Sequence, residues 1–157
     1  MKKIIASVMM VSLLLCTVFS LPVSAAEMPM NEVTTTTIEY LENGDYIETV
    51  LTVYETNSRA ATKQGTKTSN YKNSSGTVLW CVTVYGSFTY NGTTSSCTSV
   101  SRSTESFNSN WTIKSSSCTK SGNCASATAT AKYTSGSSSM ERSLTVNLYC
   151  SPYGIIS

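Results

Sequence analysis

Polar and apolar residues alternate along several short runs of the chain, and a period of two predicts β-strands. In residues 124–133 the alternation is complete, with apolar side chains on one face and polar side chains on the other. Residues 77–90 and 140–150 follow the same rule with larger apolar side chains. The segments between these runs are rich in Asn, Ser and Gly, which favour turns, at residues 73–76, 91–92, 121–123 and 135–136.

The spacing of these runs indicates the fold class. From residue 63 onward the sequence carries no helical periodicity. Short strands separated by turns at this spacing are typical of two packed antiparallel sheets. We therefore predict an all-β fold over residues 62–157, an antiparallel β-sandwich of the immunoglobulin-like kind. A small β-barrel is the alternative arrangement of the same strands.

Two further β-rich runs precede this domain and flank Asn43-Gly44. Asn-Gly supplies the positive φ angles of a type I′ turn, so the segment is predicted to form a β-hairpin. In that register Tyr40 faces Ile47 and Glu39 faces Glu48. A lone hairpin is only marginally stable in water, so this one needs a surface on which to lie.

The N-terminus has the pattern of a secretory signal peptide, predicted here as residues 1–25. Two lysines precede an uncharged, mostly apolar run over residues 4–21, and small residues follow at Ser24, Ala25 and Ala26. A retained membrane helix is the alternative, since the run nearly reaches the length that spans a bilayer. We predict a secreted protein, extracellular or loosely associated with the envelope, without a stable membrane span after cleavage.

The formal net charge of +2 conceals a strong asymmetry along the chain. Residues 26–58 carry seven acidic and no basic residues, whereas residues 59–157 carry nine basic and two acidic residues. One interpretation is that residues 26–61 form an acidic pro-segment that masks a basic domain, with cleavage near Arg59, Ala60 and Ala61. The alternatives are an N-terminal extension and an additional hairpin of the same domain.

Five cysteines follow the signal segment, and an oxidising compartment favours disulfides. If Asn91-Gly92 forms a two-residue loop, Gly86 lies opposite Cys97, which then faces inward. Cys150 also faces inward on its own run, so we predict a disulfide between Cys97 and Cys150. This register leaves Val100 on the polar face.

The other cysteines are predicted to lie nearer the surface. Cys118 is placed on a loop close to Cys124, and a local disulfide between them is predicted, which leaves Cys81 unpaired. A bond from Cys81 to either Cys118 or Cys124 is the alternative.

Four segments carry a resemblance to a known group of proteins: YLENGDYIETV, GTVLWCVTVYGSFTYNG, KSGNCASATATAK and the ending YCSPYGIIS. They resemble a family of small secreted β-rich proteins of Gram-positive bacteria that has no established function. The resemblance extends over most of the chain after the signal segment and includes the acidic hairpin. It implies a shared β-domain and no catalytic activity.

The composition excludes several kinds of chemistry. The sequence has no histidine, which removes Ser-His-Asp and Cys-His catalysis and histidine-based zinc sites. Within residues 59–157 the only carboxylate side chains are those of Glu105 and Glu141, in separate stretches, so neither a glycosidase pair nor a calcium site is expected there. We predict a protein that is not an enzyme and has no cofactor or metal.

A binding role is the remaining hypothesis. The predicted outward-facing candidates are Tyr85, Tyr149, Lys114 and Lys132, because aromatic rings stack on sugars and lysines attract anionic polymers. The expected partner is an extracellular carbohydrate, a mucin or an anionic cell-wall polymer, and not a nucleic acid. The alternative functions are a cationic antimicrobial or toxin-like protein released from the acidic segment, and a structural or colonisation factor.

Overall fold

The computed structural model describes residues 31–55 and 61–157, which form eight antiparallel strands and no helix. The strands are β1 (Asn31–Tyr40), β2 (Tyr46–Glu55), β3 (Thr62–Lys72), β4 (Val78–Tyr90), β5 (Ser95–Ser106), β6 (Trp111–Ser121), β7 (Cys124–Ser135) and β8 (Ser138–Tyr149). They form a five-stranded sheet in the order β1-β2-β3-β4-β5 and a three-stranded sheet in the order β6-β7-β8. The prediction of an all-β sandwich is confirmed.

Within each sheet every strand pairs with its neighbour in the chain. The likeness to immunoglobulin domains therefore lies in the two-sheet architecture and not in Greek-key connections. The predicted signal segment, residues 1–25, lies outside the described residues, as do Arg59 and Ala60. Residues 31–55 and 61–157 contain no helix that is long and apolar enough to cross a membrane.

The β1–β2 hairpin forms where Asn43-Gly44 predicts it, but the predicted register is wrong by one residue. Tyr40 pairs with Tyr46 and Glu39 with Ile47. A type I′ turn needs positive φ at both central residues, and here only Gly44 adopts it. The Asn43 side chain instead accepts a hydrogen bond from the backbone N–H of Asp45, and the loop closes over five residues.

A bulge corrects the predicted register between β4 and β5. Cys97 pairs with Phe88, not Gly86, and the ladder shifts between Ser87 and Phe88 so that Gly86 faces Val100. The loop after Tyr90 is longer than the predicted two residues because the Asn91 side chain accepts hydrogen bonds from the backbone of Thr93 and Thr94. Because of the extra residue, both Cys97 and Val100 face inward, which removes the anomaly at Val100.

The core lies between β4 and the three-stranded sheet. The inner face of β4 carries large side chains that are completely buried, namely Trp80, Val82, Val84 and Phe88. The inner face of β7 carries only alanines over most of its length, at Ala125, Ala127, Ala129 and Ala131. Large side chains facing small ones fill the space between two sheets at native packing density. The alternation therefore predicts the inner faces of residues 77–90 and 124–133 correctly. The prediction that Cys81 lies nearer the surface is wrong, because β4 is central and Cys81 is buried on its outer face.

Aromatic rings close one end of the core, and the C-terminal tail closes the other. The ring of Trp111 lies between those of Tyr71 and Tyr133. Its centroid is 5.2 Å from that of Tyr71 and 5.5 Å from that of Tyr133. At the opposite end the chain turns back after Cys150, and Ile156 enters the core against Gly65. Both ends of the sandwich are thus sealed by residues far apart in sequence.

The acidic hairpin belongs to the same sheet as residues 62–157. Strand β2 pairs with β3 over nine positions, and its inner-face residues Ile47, Leu51 and Val53 pack against the core. The three-stranded sheet covers β3, β4 and β5, so β1 and β2 extend beyond it. The hairpin is therefore a lateral extension of the large sheet. Whether residues 26–61 are removed by proteolysis stays a prediction.

Candidate functional site

Hydroxyl-bearing side chains cover the outer face of the five-stranded sheet. Residues directly opposite each other on neighbouring strands share a face, so the registers define rows across the sheet. One row runs Thr34, Thr52, Thr66, Tyr85 and Ser101, and the next runs Glu32, Tyr54, Gln64, Ser87 and Ser99. The alternation that buries one side of each strand thus presents a polar surface on the other.

A groove of about 190 Å³ crosses these two rows at the centre of the sheet. Two tyrosines, Tyr54 on β2 and Tyr85 on β4, line it. Its polar lining comes from Gln64, Thr66, Ser87, Ser99 and Ser101, and its floor from the backbone of Gly65 and Gly86. The groove therefore combines two aromatic rings with amide and hydroxyl groups on four neighbouring strands.

Strand spacing sets the distance between the two tyrosines. Their strands are separated by β3 and their rows are two residues apart, so the two side chains start about 12 Å apart. Tyr85 is 41% exposed, and its hydroxyl lies 3.2 Å from the Ser103 Oγ. Gln64 and Thr66 lie between the rings on β3. The two tyrosines thus flank the polar side chains of β3 on both sides.

The groove is electrostatically neutral, because none of its lining residues is charged. It is also small and open compared with pockets that enclose a small-molecule ligand, which are usually about 300–1,000 Å³. Such a groove suits one or two units of a longer neutral chain that continues across the sheet. It does not offer a lysine to an anionic polymer.

The structure separates the four residues predicted from sequence to bind a partner. Only Tyr85 lies in the groove. Tyr149, opposite Cys124, and Lys132, opposite Glu141, lie on the outer face of the three-stranded sheet, on the other side of the sandwich. Lys114 lies in a bulge of β6, where the register shifts between Ile113 and Ser115. The four residues therefore do not form one site.

Sequence reasoning missed Tyr54 and Gln64, which the fold brings beside Tyr85. Tyr54 ends the acidic hairpin, and nothing in the local pattern connects that hairpin to the centre of the large sheet. Gln64 lies in β3, where Lys63 and Lys67 interrupt the apolar alternation on the inner-facing positions. A search for tyrosines at outward positions of every predicted strand would have found Tyr54 but not its neighbours.

A second hydroxyl-rich surface covers the outer face of the three-stranded sheet. Thr128 and Thr145 share a hydrogen bond of 2.9 Å, and Thr130 and Ser143 share one of 2.7 Å. These cross-strand pairs satisfy the hydroxyl groups mutually and stabilise the sheet. On its described strands this surface carries a single tyrosine, Tyr149.

Three of the cysteines gather at the turn between β6 and β7. The Cys97 backbone N–H donates to the Gly122 carbonyl at 2.7 Å, and that of Cys150 donates to the Asn123 carbonyl at 3.0 Å. Cys124 follows this turn directly. Burial raises the pKa of the Cys97 and Cys150 thiols. The Cys97–Cys150 disulfide stays a prediction, and these two residues do lie at the same end of the sandwich.

The register of β6 and β7 opposes the predicted Cys118–Cys124 disulfide. Cys118 pairs with the buried Ala127 and so faces the core side. Cys124 pairs with the exposed Tyr149 and faces the opposite side of the same sheet. The sequence-based placement of Cys118 on a loop is wrong because β6 continues to Ser121. The structure contains all five described cysteines as free thiols.

No cluster of three or more potential metal ligands occurs among residues 31–55 and 61–157. Comparison with protein-family models, with curated proteins and with solved structures found no match to this chain. The groove between Tyr54 and Tyr85 is the candidate functional site.

Proposed function

We propose that this protein is a secreted, non-enzymatic binding module that recognises a neutral carbohydrate chain through the Tyr54–Tyr85 groove. The observation that carries the proposal is the pairing of two tyrosine rings with an uncharged lining of hydroxyl and amide groups. Sugars present apolar C–H faces and polar rims, so they are recognised by aromatic stacking combined with hydrogen bonds.

The shape of the groove supports an extended partner. The lining comes from four consecutive strands of one sheet, so the groove crosses the strands and is open to solvent on the outer face. A polymer running across β2 to β5 would contact Tyr54, then Gln64 and Thr66, then Tyr85, in the order of the strands. Neutral glycans of mucins and cell-wall polysaccharides present such chains.

The neutral lining favours carbohydrate over an anionic cell-wall polymer as the ligand. Lys132 and Lys114, which were predicted to attract anionic polymer, belong to the other sheet, away from Tyr85. Binding through the groove is therefore expected to depend only weakly on salt, since no ion pair is formed. Strongly salt-dependent binding would instead indicate the lysines.

The alternative of an antimicrobial protein released from residues 26–61 has weaker support. Removing that segment would strip β2 from β3 along nine paired positions. It would also remove Tyr54 and half of the aromatic lining of the groove. A proteolytic product that begins near Thr62 and kills bacteria would favour that alternative.

The test is a binding assay on immobilised neutral polysaccharides with three single variants. We expect Tyr85→Ala and Tyr54→Ala each to weaken binding about twofold to twelvefold, because an aromatic contact contributes about 0.5–1.5 kcal/mol. Tyr149→Ala is the matched control, since Tyr149 has the same exposure as Tyr85, 43% against 41%, on the opposite face. Equal losses in all three variants, or binding only to anionic polymers, would contradict the proposal.

A further inference from the structure

Strand β1 is a long edge strand with an unprotected side. Every side chain from Glu32 to Tyr40 is exposed, and Val33 and Ile38 are each 51% exposed although they are apolar. Natural edge strands avoid association by being short, by carrying lysine or proline, or by bulging. Strand β1 has ten residues, no lysine, no proline and an uninterrupted register with β2, and its charged residues, Glu32 and Glu39, lie near its two ends with six uncharged residues between them.

The other sheet edges of the described chain are occupied or charged. Strands β5 and β6 close against each other, since the Arg102 Nε donates to the Ser116 Oγ at 2.9 Å. The C-terminal end of β8 pairs with the tail, where Tyr149 and Ser157 exchange two backbone hydrogen bonds. Farther along β8 lie Glu141 and Arg142, charged residues of the kind that protect an edge.

The hydrogen bonding of the hairpin shows which backbone groups of β1 are free. The Leu41 N–H donates to the Asp45 carbonyl, so residue 41 points its backbone groups toward β2. Backbone groups alternate in direction along an antiparallel strand. Odd-numbered residues of β1 therefore bond to β2, and the even-numbered ones direct their N–H and C=O groups to the open edge. The latter are Glu32, Thr34, Thr36, Ile38 and Tyr40.

We propose that β1 pairs with β1 of a second copy of this chain, antiparallel about a two-fold axis, to form a continuous ten-stranded sheet. In such pairing an outward-bonding residue must lie opposite another outward-bonding residue. Even-numbered residues then face only even-numbered ones. This rule excludes the register in which Glu32 of one copy opposes Glu39 of the other, the main like-charge conflict on this strand.

The register that the side chains favour has Thr35 on the two-fold axis. Thr34 of one copy then lies opposite Thr36 of the other, and Glu32 opposite Ile38. Threonine pairs already stabilise this molecule across strands, as the 2.8 Å bond between Thr68 and Thr83 illustrates. Moving the axis to Thr36 would instead place Thr34 opposite Ile38, and only one threonine pair would remain on the outer face.

Charge gives the dimer a distinctive response to salt. The hairpins of both copies are acidic. In each copy, Glu48 of the hairpin forms an ion pair with Lys72 of β3. Repulsion between the remaining carboxylates weakens as salt screens it. Association through β1 is therefore expected to strengthen with added salt, whereas association through opposite charges would weaken.

The first experiment is sedimentation velocity across a range of protein concentrations and salt. We expect the wild-type protein to dimerise reversibly and Thr36→Pro to weaken dimerisation at least about tenfold, because proline removes an outward N–H but no bond to β2. Thr36→Val keeps that N–H and is the matched control, and far-ultraviolet circular dichroism verifies that each variant keeps its strand content. A wild-type protein that stays monomeric, or dimers unaffected by Thr36→Pro, would overturn the proposal.

Crosslinking tests the register independently of affinity. Cysteine in Thr35→Cys would meet its own counterpart across the axis, where opposed α-carbons lie about 4.5 Å apart, so air oxidation should join the copies covalently. Thr37→Cys would face Val33 and should give no more covalent dimer than the wild-type protein. Efficient crosslinking by Thr37→Cys, or none by Thr35→Cys, would show that this register is wrong.

Discussion

Strands β1 and β4 belong to the same sheet, have ten and thirteen residues, and are both rich in β-branched residues, yet they differ completely in burial. Strand β4 has neighbours on both edges and the alanine-rich β7 against its inner face, so Trp80, Val82 and Phe88 are fully buried. Among the described residues, β1 has one neighbouring strand and no sheet over its inner face, so Val33, which shares that face with Val53, stays half exposed.

The comparison teaches that position in the sheet, and not strand propensity, decides what a strand contributes. A central strand removes apolar surface from water and therefore carries stability. An edge strand at the far end of an overhanging hairpin leaves its backbone groups and side chains available to a partner. Between the two, β2 and β3 bring Tyr54 and Gln64 next to Tyr85 on the outer face.

The largest expected effect is the difference in the free energy of unfolding between truncating a side chain on β4 and truncating one on β1. Trp80→Ala removes the largest fully buried side chain and should lower the free energy of unfolding by about 3–5 kcal/mol. Ile38→Ala on β1 should change it by less than about 0.5 kcal/mol. Urea unfolding followed by circular dichroism measures both. Similar losses in the two variants would mean that β1 is covered in solution, as the proposed dimer would also require at high concentration.

A smaller effect is expected from adding one methyl group at the centre of β4. A Cβ at Gly86 would lie 2.7 Å from the Phe88 ring and 3.0 Å from Leu148, so both must shift. Gly86→Ala should therefore destabilise the protein by about 1–3 kcal/mol. Ser87→Ala, one residue away on the outer face, is the control and should be nearly neutral. An unchanged unfolding midpoint for Gly86→Ala would mean that the core is looser than this packing indicates.

The hydrogen bond that ties the hairpin to the core should have the smallest effect, and it should depend on pH. The Tyr71 hydroxyl donates to the Asp45 carboxylate at 2.6 Å, so Tyr71→Phe should cost about 1.5 kcal/mol. Burial, and then the bond to Asp45, raise the pKa of Tyr71 above its ordinary value of 10.0. Folding thus favours the protonated phenol.

The sign of the pH dependence follows from that raised pKa. The stabilisation is complete below pH 10.0, the ordinary value for the unfolded chain, and is lost as the pH rises toward the higher pKa of the folded state. The wild-type protein should therefore keep its advantage over Tyr71→Phe at neutral pH and lose it progressively as the pH rises above 10.0 in urea unfolding. An advantage that persists at the higher pH would mean that Tyr71 does not titrate in this range.

Alternation predicts individual strands well but registers poorly. The buried faces of β4, β7 and β8 follow from their sequences, because a period of two separates apolar from polar residues there. The hairpin turn at Asn43-Gly44 is found at the predicted place, but side-chain hydrogen bonds from Asn43 and Asn91 set loop lengths that a dipeptide signal does not encode. The bulge near Ser87 likewise depends on both strands together.

The same limit applies to the candidate site. Tyr85 is identifiable from sequence as an outward aromatic residue, while Tyr149 satisfies the same criterion and lies on the opposite face of the sandwich. The face on which a side chain lies, and the residues beside it, depend on which strands pair. Strand pairing brings residues as distant in sequence as Tyr54 and Ser101 to one groove. The register also separates Cys118 from Cys124, although only five residues lie between them in sequence.

By itself, the sequence determined that this chain forms β-strands, which side of the central ones is apolar, where the turns fall, and that histidine-dependent chemistry is absent. These properties are local, because side-chain period and turn preference act over a few residues. Only the tertiary structure decided that the acidic hairpin extends the large sheet, that two tyrosines flank one groove, and that β1 is the edge strand of the described sheet. Those features arise from strand pairing and sheet packing, which join residues far apart along the chain.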